Sequence, residues 1–278
     1  MCIRDSRQHA LIIGVSAGVL LVASTPWFAM RWAMMIDVAP PHLLVVVGLM
    51  TLHTLVFYGV CLAFHRVDMT DRPAFVARHR IQQERRKHPP MDQTLRVLAR
   101  NQFLFLPLLL YGLTELLLLR GWMPESELPT LGRLAWELVA QGVIAVVVFY
   151  GSHRFLHRKW WMKRVHRVHH EFKTTTAWAS EYAHPVEFMA SNFATLATGA
   201  VLLAPHLASM YLFALLSLLT ILVHHSGYAL PWAPYAIPHD WHHYKVHELF
   251  GTTGMIDRVM GTDTELRRLR EEAEGEVV

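Results

Sequence analysis

Six long apolar stretches limit what this chain can fold into. They fall at about residues 10–30, 43–64, 103–119, 134–150, 188–204 and 207–223, each close to the ~20 residues a helix needs to cross a bilayer. Backbone placed in hydrocarbon must satisfy its own hydrogen bonds, and continuous apolar runs of this length do so as helices. Only Pro205 and His206 separate the last two runs, which makes them a helical hairpin with almost no exposed loop. Composition agrees, with 53% hydrophobic and only 17% charged residues, a balance more apolar than that of ordinary soluble domains. The expected fold class is therefore all-α: a polytopic membrane protein of four to six membrane helices including a helical hairpin. Arg4, Asp5 and Arg7 precede a first run too long for a signal-peptide core, with no small-residue cleavage site directly after it, so a cleavable secretory signal is not expected.

Orientation follows from the short loops, because Lys and Arg are retained on the cytoplasmic side. Between His65 and Gln102 lie Arg66, Arg72, Arg78, Arg80, Arg85, Arg86, Lys87, Arg96 and Arg100; after Tyr150 come Arg154, Arg158, Lys159, Lys163, Arg164, Arg167 and Lys173. The loops near Pro40 and Pro124 carry little positive charge. Both basic segments and both termini are expected in the cytosol, with Trp160 and Trp161 in the interfacial belt. The net charge of +4 is spread between apolar runs rather than over one soluble face, so nucleic acid is not an expected partner.

Histidine placement decides the chemistry. Of 19 histidines, 13 lie between His153 and His247, and most are tightly spaced. His153 and His157 are four apart; His166, His169 and His170 form His-x-x-His-His, and His239, His242 and His243 repeat it. Residues at i, i+3 and i+4 share one helix face, and the topology puts all three boxes on one side of the membrane, as a cytosolic histidine-rich helical cap. Imidazole suits Fe, Zn, Cu and Ni. Eight box histidines exceed what one tetrahedral zinc or one octahedral iron accepts, so the count favours two metals. Cys2 and Cys61, far apart in sequence, supply neither a disulfide framework nor a thiolate site. Isolated histidines such as His42, His53, His79 and His88 read as satisfied or solvated side chains. Phe149, Phe155, Trp160 and Trp161 read as core and interface. Glu115, inside an apolar run, is a functional candidate by default, with protonation or pairing to Arg120 as the plainer reading.

The order His153-Arg-Phe-Leu-His157, His166-Arg-Val-His169-His170, His225-Ser-Gly-Tyr-Ala-Leu-Pro-Trp232 and His239-Asp-Trp-His242-His243 resembles the fatty acid hydroxylase superfamily, which includes sterol desaturases and C4-methyl sterol oxidases. Gly254-Met-Ile-Asp257-Arg-Val-Met-Gly261-Thr262 is similar to its closing motif. The resemblance covers about residues 150–263 and does not extend over the first two runs. It divides the chain into N-terminal membrane helices with a basic cytosolic loop (1–133), a catalytic region (134–263) and a charged tail (264–278).

What the resemblance implies is a membrane-bound non-haem di-iron oxygenase of the bacterial inner membrane or endoplasmic reticulum. Two Fe2+ ions would use O2 and externally supplied electrons to hydroxylate or desaturate a C–H bond of a membrane lipid. It adds His184 and His225 to the ligands, giving His153, His157, His166, His169, His170, His184, His225, His239, His242 and His243, with His224 ambiguous beside His225. Glu171, Glu181, Glu187 and Asp240 adjoin box residues and are candidates to orient imidazoles. No flavin, nicotinamide or haem motif is visible, so electrons are expected from a cytochrome b5 or ferredoxin type protein drawn to the basic face. The competing readings are a histidine-rich membrane metal-binding or transport protein and a zinc hydrolase of the same fold.

Overall fold

A computed structural model describes residues 25–83, 88–231 and 236–275, together with Gly14 and Gly18. Most of the expected first crossing, 10–30, lies outside the described residues. Its end is the start of helix α1 (Pro26–Val38), which Thr25 caps by accepting from Phe28 N–H. At 13 residues, α1 is shorter than a bilayer crossing.

Five helices long and apolar enough to cross a membrane follow: α2 (Leu43–Thr70), α3 (Met91–Leu119), α4 (Leu131–Leu156), α5 (Pro185–Leu203) and α6 (Leu207–His224). They match the remaining five apolar runs, and the chain is an integral membrane protein with an all-α architecture. Among the described residues the sole β feature is an isolated bridge between Arg80 and Tyr228. Large apolar side chains on the outer faces, such as Leu55, Leu108, Val143 and Leu202, are exposed, as lipid-facing helix surfaces require.

Local chemistry sets the ends. Thr130 caps α4 through Arg133 N–H, and Pro185 occupies the first turn of α5, where its missing N–H costs nothing. Ala204 stops α5 in the left-handed region (φ 45°), Pro205 cannot continue it, and the His206 side chain caps α6 by accepting from Ala208 N–H. This tight turn is anchored: Trp122 donates to the Pro205 carbonyl (2.8 Å) and His206 N–H donates to Glu137 (3.1 Å).

Several helices contain wide π turns, at Leu43–Gly48 in α2, Asn101–Phe105 in α3 and Phe188–Phe193 in α5. In α2 the Tyr211 hydroxyl donates to the Leu44 carbonyl. Gly48 makes that approach possible, since a Cβ there would lie 1.9 Å from the Tyr211 oxygen.

The helices alternate in direction, so the last turns of α2, α4 and α6 and the first turns of α3 and α5 share one end. There the cap folds: a π turn at Met162–His166, 3-10 turns at His169–Glu171 and Ala177–Glu181, then α7 (Ala236–Lys245), α8 (Met255–Met260) and α9 (Thr264–Gly275).

Candidate metal centre

The end of α4 supplies His153 and His157, the 162–171 turns supply His166, His169 and His170, the C-cap of α6 supplies His225, and α7 supplies His239, His242 and His243. These nine gather into two groups, each with ligand atoms within 4.8 Å of one another: His153, His157, His166, His170 and His242 in one, His169, His225, His239 and His243 in the other.

Each His-x-x-His-His box is thus divided between the groups. Its three histidines do not converge on one face, as the helical spacing predicts, and the first box is a π turn running into a 3-10 turn rather than an α-helix. The cause is the same in both boxes. Consecutive residues point about 100° apart on a helix, so His169 diverges from His170, and His242 from His243. His184, expected among the ligands, joins neither group. Its Nδ1 accepts from Val186 N–H and caps the first turn of α5. His224 joins neither group and lines a cavity described below.

Backbone carbonyls fix most of the rings. Nδ1–H donates from His153 to Phe250 O (2.7 Å), from His169 to Tyr182 O (3.1 Å), from His225 to Ile221 O (2.8 Å), from His242 to Glu248 O (2.6 Å) and from His243 to Phe172 O (2.9 Å). His166 uses a carboxylate, donating to Glu187 (2.8 Å). Of the four carboxylates considered from sequence, Glu187 alone orients a box imidazole. Glu171 accepts from Tyr182 and Gln93, Asp240 from Gln82 and Thr175, and Glu181 from His53 and Gln102. Glu115 pairs with His42 at 2.9 Å rather than with Arg120, and is half-exposed.

In the segment after α7 the resemblance marked the closing motif at 254–262, but nothing in the sequence marked residues 246–250. Val246 and Leu249 both hold positive φ (73° and 61°), a strained region for bulky side chains. The bend turns the Glu248 and Phe250 carbonyls onto His242 and His153. Asp257 braces it by accepting from Phe250 N–H, Gly251 N–H and the Thr262 hydroxyl, and the Glu248 carboxylate receives Trp241 and the first N–H groups of α9.

Burial pushes the imidazoles toward neutrality: His166 and His242 down to about 3, His169 to about 4, and His157, His170, His225, His239 and His243 also downward. Where a carbonyl or Glu187 holds the proton at Nδ1, the inward Nε2 is bare: those of His153 and His166 face each other at 3.1 Å, and Nε2 of His242 and of His243 has no partner. Lone pairs converging in a buried site repel one another unless a cation lies between them. Two all-nitrogen donor sets, held by outer partners, therefore fit two borderline metal ions.

Beneath the centre, between α2, α3, α4, α5 and α6, runs a cavity of about 480 Å³, walled mainly by apolar side chains such as Leu49, Leu110, Val146 and Phe213. His224, Thr252 and Thr253 line it nearest the histidines.

A sequence profile described as fatty acid hydroxylase matches residues 138–262. "Fatty acid hydroxylase domain-containing protein 2" of Macaca fascicularis is 34% identical over 209 residues, covering 73% of this chain and 62% of that protein. "Methylsterol monooxygenase 2-2" of Arabidopsis thaliana is 32% identical over 239 residues, covering 81% of this chain and 87% of the relative. "Very-long-chain aldehyde decarbonylase GL1-11" of Oryza sativa subsp. indica is 36% identical over 169 residues, 56% of this chain and 63% of the relative. The chain spans 62% of the length of the macaque protein and of its human counterpart. No solved structure matches it.

Proposed function

The chain belongs to the fatty acid hydroxylase family, and on that premise we propose that it is a membrane-bound non-haem di-iron oxygenase that oxidises a C–H bond of a lipid. The observation that carries the reading is two buried imidazole groups next to an apolar cavity among the membrane helices, the cavity lining reaching His224 beside His225. The three relatives are named for different reactions, yet all three names refer to a lipid or lipid-derived molecule.

Nine histidines, without His184, would hold the metals. Iron bound there supplies the capacity to activate O2 with electrons from a partner protein. The chain's own residues do the rest. The carbonyls of Phe250, Glu248, Tyr182, Phe172 and Ile221 set the tautomer and aim each Nε2 inward, and Glu187 does so for His166. The aliphatic cavity walls exclude water from the reacting carbon and admit a hydrocarbon body. Arg154, Arg158, Lys159, Lys163, Arg164, Arg167 and Lys173 are all exposed around the centre, and they form a docking face for an acidic electron donor of the cytochrome b5 or ferredoxin type. We place this face in the cytosol on the charge bias of its loops.

Purification under anaerobic conditions followed by metal analysis and O2-uptake measurement with a reductant and membrane lipid tests the reading. About two irons per chain and lipid-dependent O2 uptake are expected from the donor count. One firmly held zinc with no O2 uptake defeats it.

A further inference from the structure

One wall of the apolar cavity carries an ionisable pair. His53, in the middle of α2, donates from Nε2 to Glu181 Oε1 at 2.8 Å, and Gln102 donates to Glu181 Oε2 at 2.7 Å. His53 and Glu181 both line the cavity, with 14% and 12% of their side chains exposed, and Gln102 behind them is fully buried. The π turn at Asn101–Phe105 accounts for the placement. It lets adjacent side chains serve the same loop, Asn101 bonding the Ala183 carbonyl (2.9 Å) while Gln102 reaches Glu181.

A structural latch between the 177–181 turn and α2 needs only neutral hydrogen-bonding groups. An ionisable pair at membrane depth is costly and marks a functional position by default. The carboxylate takes one donor on each oxygen, although each oxygen has two acceptor sites. Spare acceptor capacity therefore remains on the wall of a cavity whose other polar lining groups, Gln141, Asn192, Thr195, Ser217 and Thr220 among them, are neutral.

We propose that Glu181, held by His53 and Gln102, is the substrate-recognition residue of the cavity, and that it selects a neutral lipid bearing a hydroxyl group. This rests on the oxygenase reading above and deepens it. An alcohol O–H donates to the carboxylate. A lipid ending in an ionised carboxylate meets like charge in a low-dielectric wall, and a plain hydrocarbon leaves the spare acceptor sites unused. Geometry places the anchor close to the reactive end. The carbonyl of Tyr182, next to Glu181, holds His169. Ile221, one turn of α6 before His225, lines the same cavity as Glu181. The apolar body then extends toward Met210 at the far end, about 20 Å of α6 from His224.

The test is competition binding to the full-length, iron-loaded protein in nanodiscs, with radiolabelled 1-octadecanol displaced by unlabelled 1-octadecanol, octadecanoate or octadecane at about pH 8, where the acid is ionised. Wild type should prefer the alcohol over the acid and over the alkane by about tenfold or more, as a hydrogen bond to a charged group warrants. Glu181→Gln, which is isosteric, should shrink the alcohol-to-acid preference by about tenfold with iron content unchanged. His53→Gln should shrink it less, because the carboxylate stays. Asp92→Asn, in an exposed pair with Arg96 outside the cavity, should leave it unaltered. An unchanged preference in Glu181→Gln with iron retained, or a wild-type preference for octadecanoate, overturns the proposal. Should the protein hold no iron and take up no O2, yet show a Glu181-dependent alcohol preference, the oxygenase reading fails while the recognition site stands.

Discussion

His166 donates from Nδ1 to a Glu187 carboxylate oxygen 2.8 Å away, while Nε2 of the same ring faces Nε2 of His157, His170 and His153 at 2.9, 3.0 and 3.1 Å. One ring thus sits between a buried carboxyl group outside the centre and the densest part of the donor set inside it. Glu187 is the only carboxylate among the ring-orienting groups described, so its removal is the most informative change outside the proposed ligands. Glu187→Ala should weaken metal retention about ten- to hundredfold, the usual effect of losing a group behind a ligand imidazole. Iron per chain measured against a graded chelator series checks this.

His184 and His242 separate the residues that the sequence resemblance groups together. His242→Ala should abolish metal loading at its group. His184→Ala removes only a helix cap, which costs about 1 kcal/mol, and should leave iron content unchanged. Metal analysis of the two purified variants decides, and a His184→Ala protein without iron would restore His184 to the ligand set.

Acidification should loosen the cap. Folded, the imidazoles of His166, His242 and His169 stay neutral down to about 3, 3 and 4, whereas unfolded histidines take up protons near 6.5. Below that pH the unfolded state binds more protons, so stability is full above about 6.5 and declines as pH falls toward 4. Bound metal adds the same slope, because protons compete for Nε2. Thermal melts of metal-depleted and iron-loaded protein from about pH 8 to pH 5 should show midpoints constant above about 6.5 and falling below it; a midpoint that rises on acidification contradicts the assignment of neutral buried rings.

Gly48→Ala should cost about 1–3 kcal/mol through overpacking, because the new Cβ falls 1.9 Å from the Tyr211 oxygen. Tyr211→Phe in the same chain removes that oxygen and should recover part of the loss. Denaturation midpoints of the two single variants and the double variant form the necessary cycle.

Single-cysteine probes test the sidedness. A probe at Gln83 should react with an impermeant reagent from the cytosol, and a probe at Glu125 only from the opposite side. Reaction of both from one side would defeat the orientation.

The membrane helices were legible because their signal is long and compositional, and all five runs within the described residues became helices, although α3 begins at Met91, well before the apolar run at 103, and α2 extends to Thr70. The eight box histidines were marked by their spacing and His225 by the family resemblance, and these nine lie together in two groups. What spacing did not disclose was the partition. An i, i+3, i+4 pattern fixes neighbours along a helix, but in both boxes the first and last histidines go to one group and the middle one to the other. The orienting carbonyls were beyond reach for a simpler reason. Every residue has one, so nothing in the letters Phe172, Tyr182, Glu248 or Phe250 marks those that bond an imidazole. His53 looked like an isolated side chain because its partner, Glu181, lies 128 positions away.

Because carbonyls and Glu187 already hold six of the nine rings with Nε2 bare, the cage is finished before any ion enters it, and it has little means of refusing one. All-imidazole sets follow the Irving–Williams order, in which Cu2+ and Zn2+ outbind Fe2+. Occupancy is then a matter of which metal the cell makes available when the chain is inserted. Overexpression in copper- or zinc-rich medium should give correctly folded protein carrying the wrong ion, and iron-replete growth should correct it without any change to the sequence.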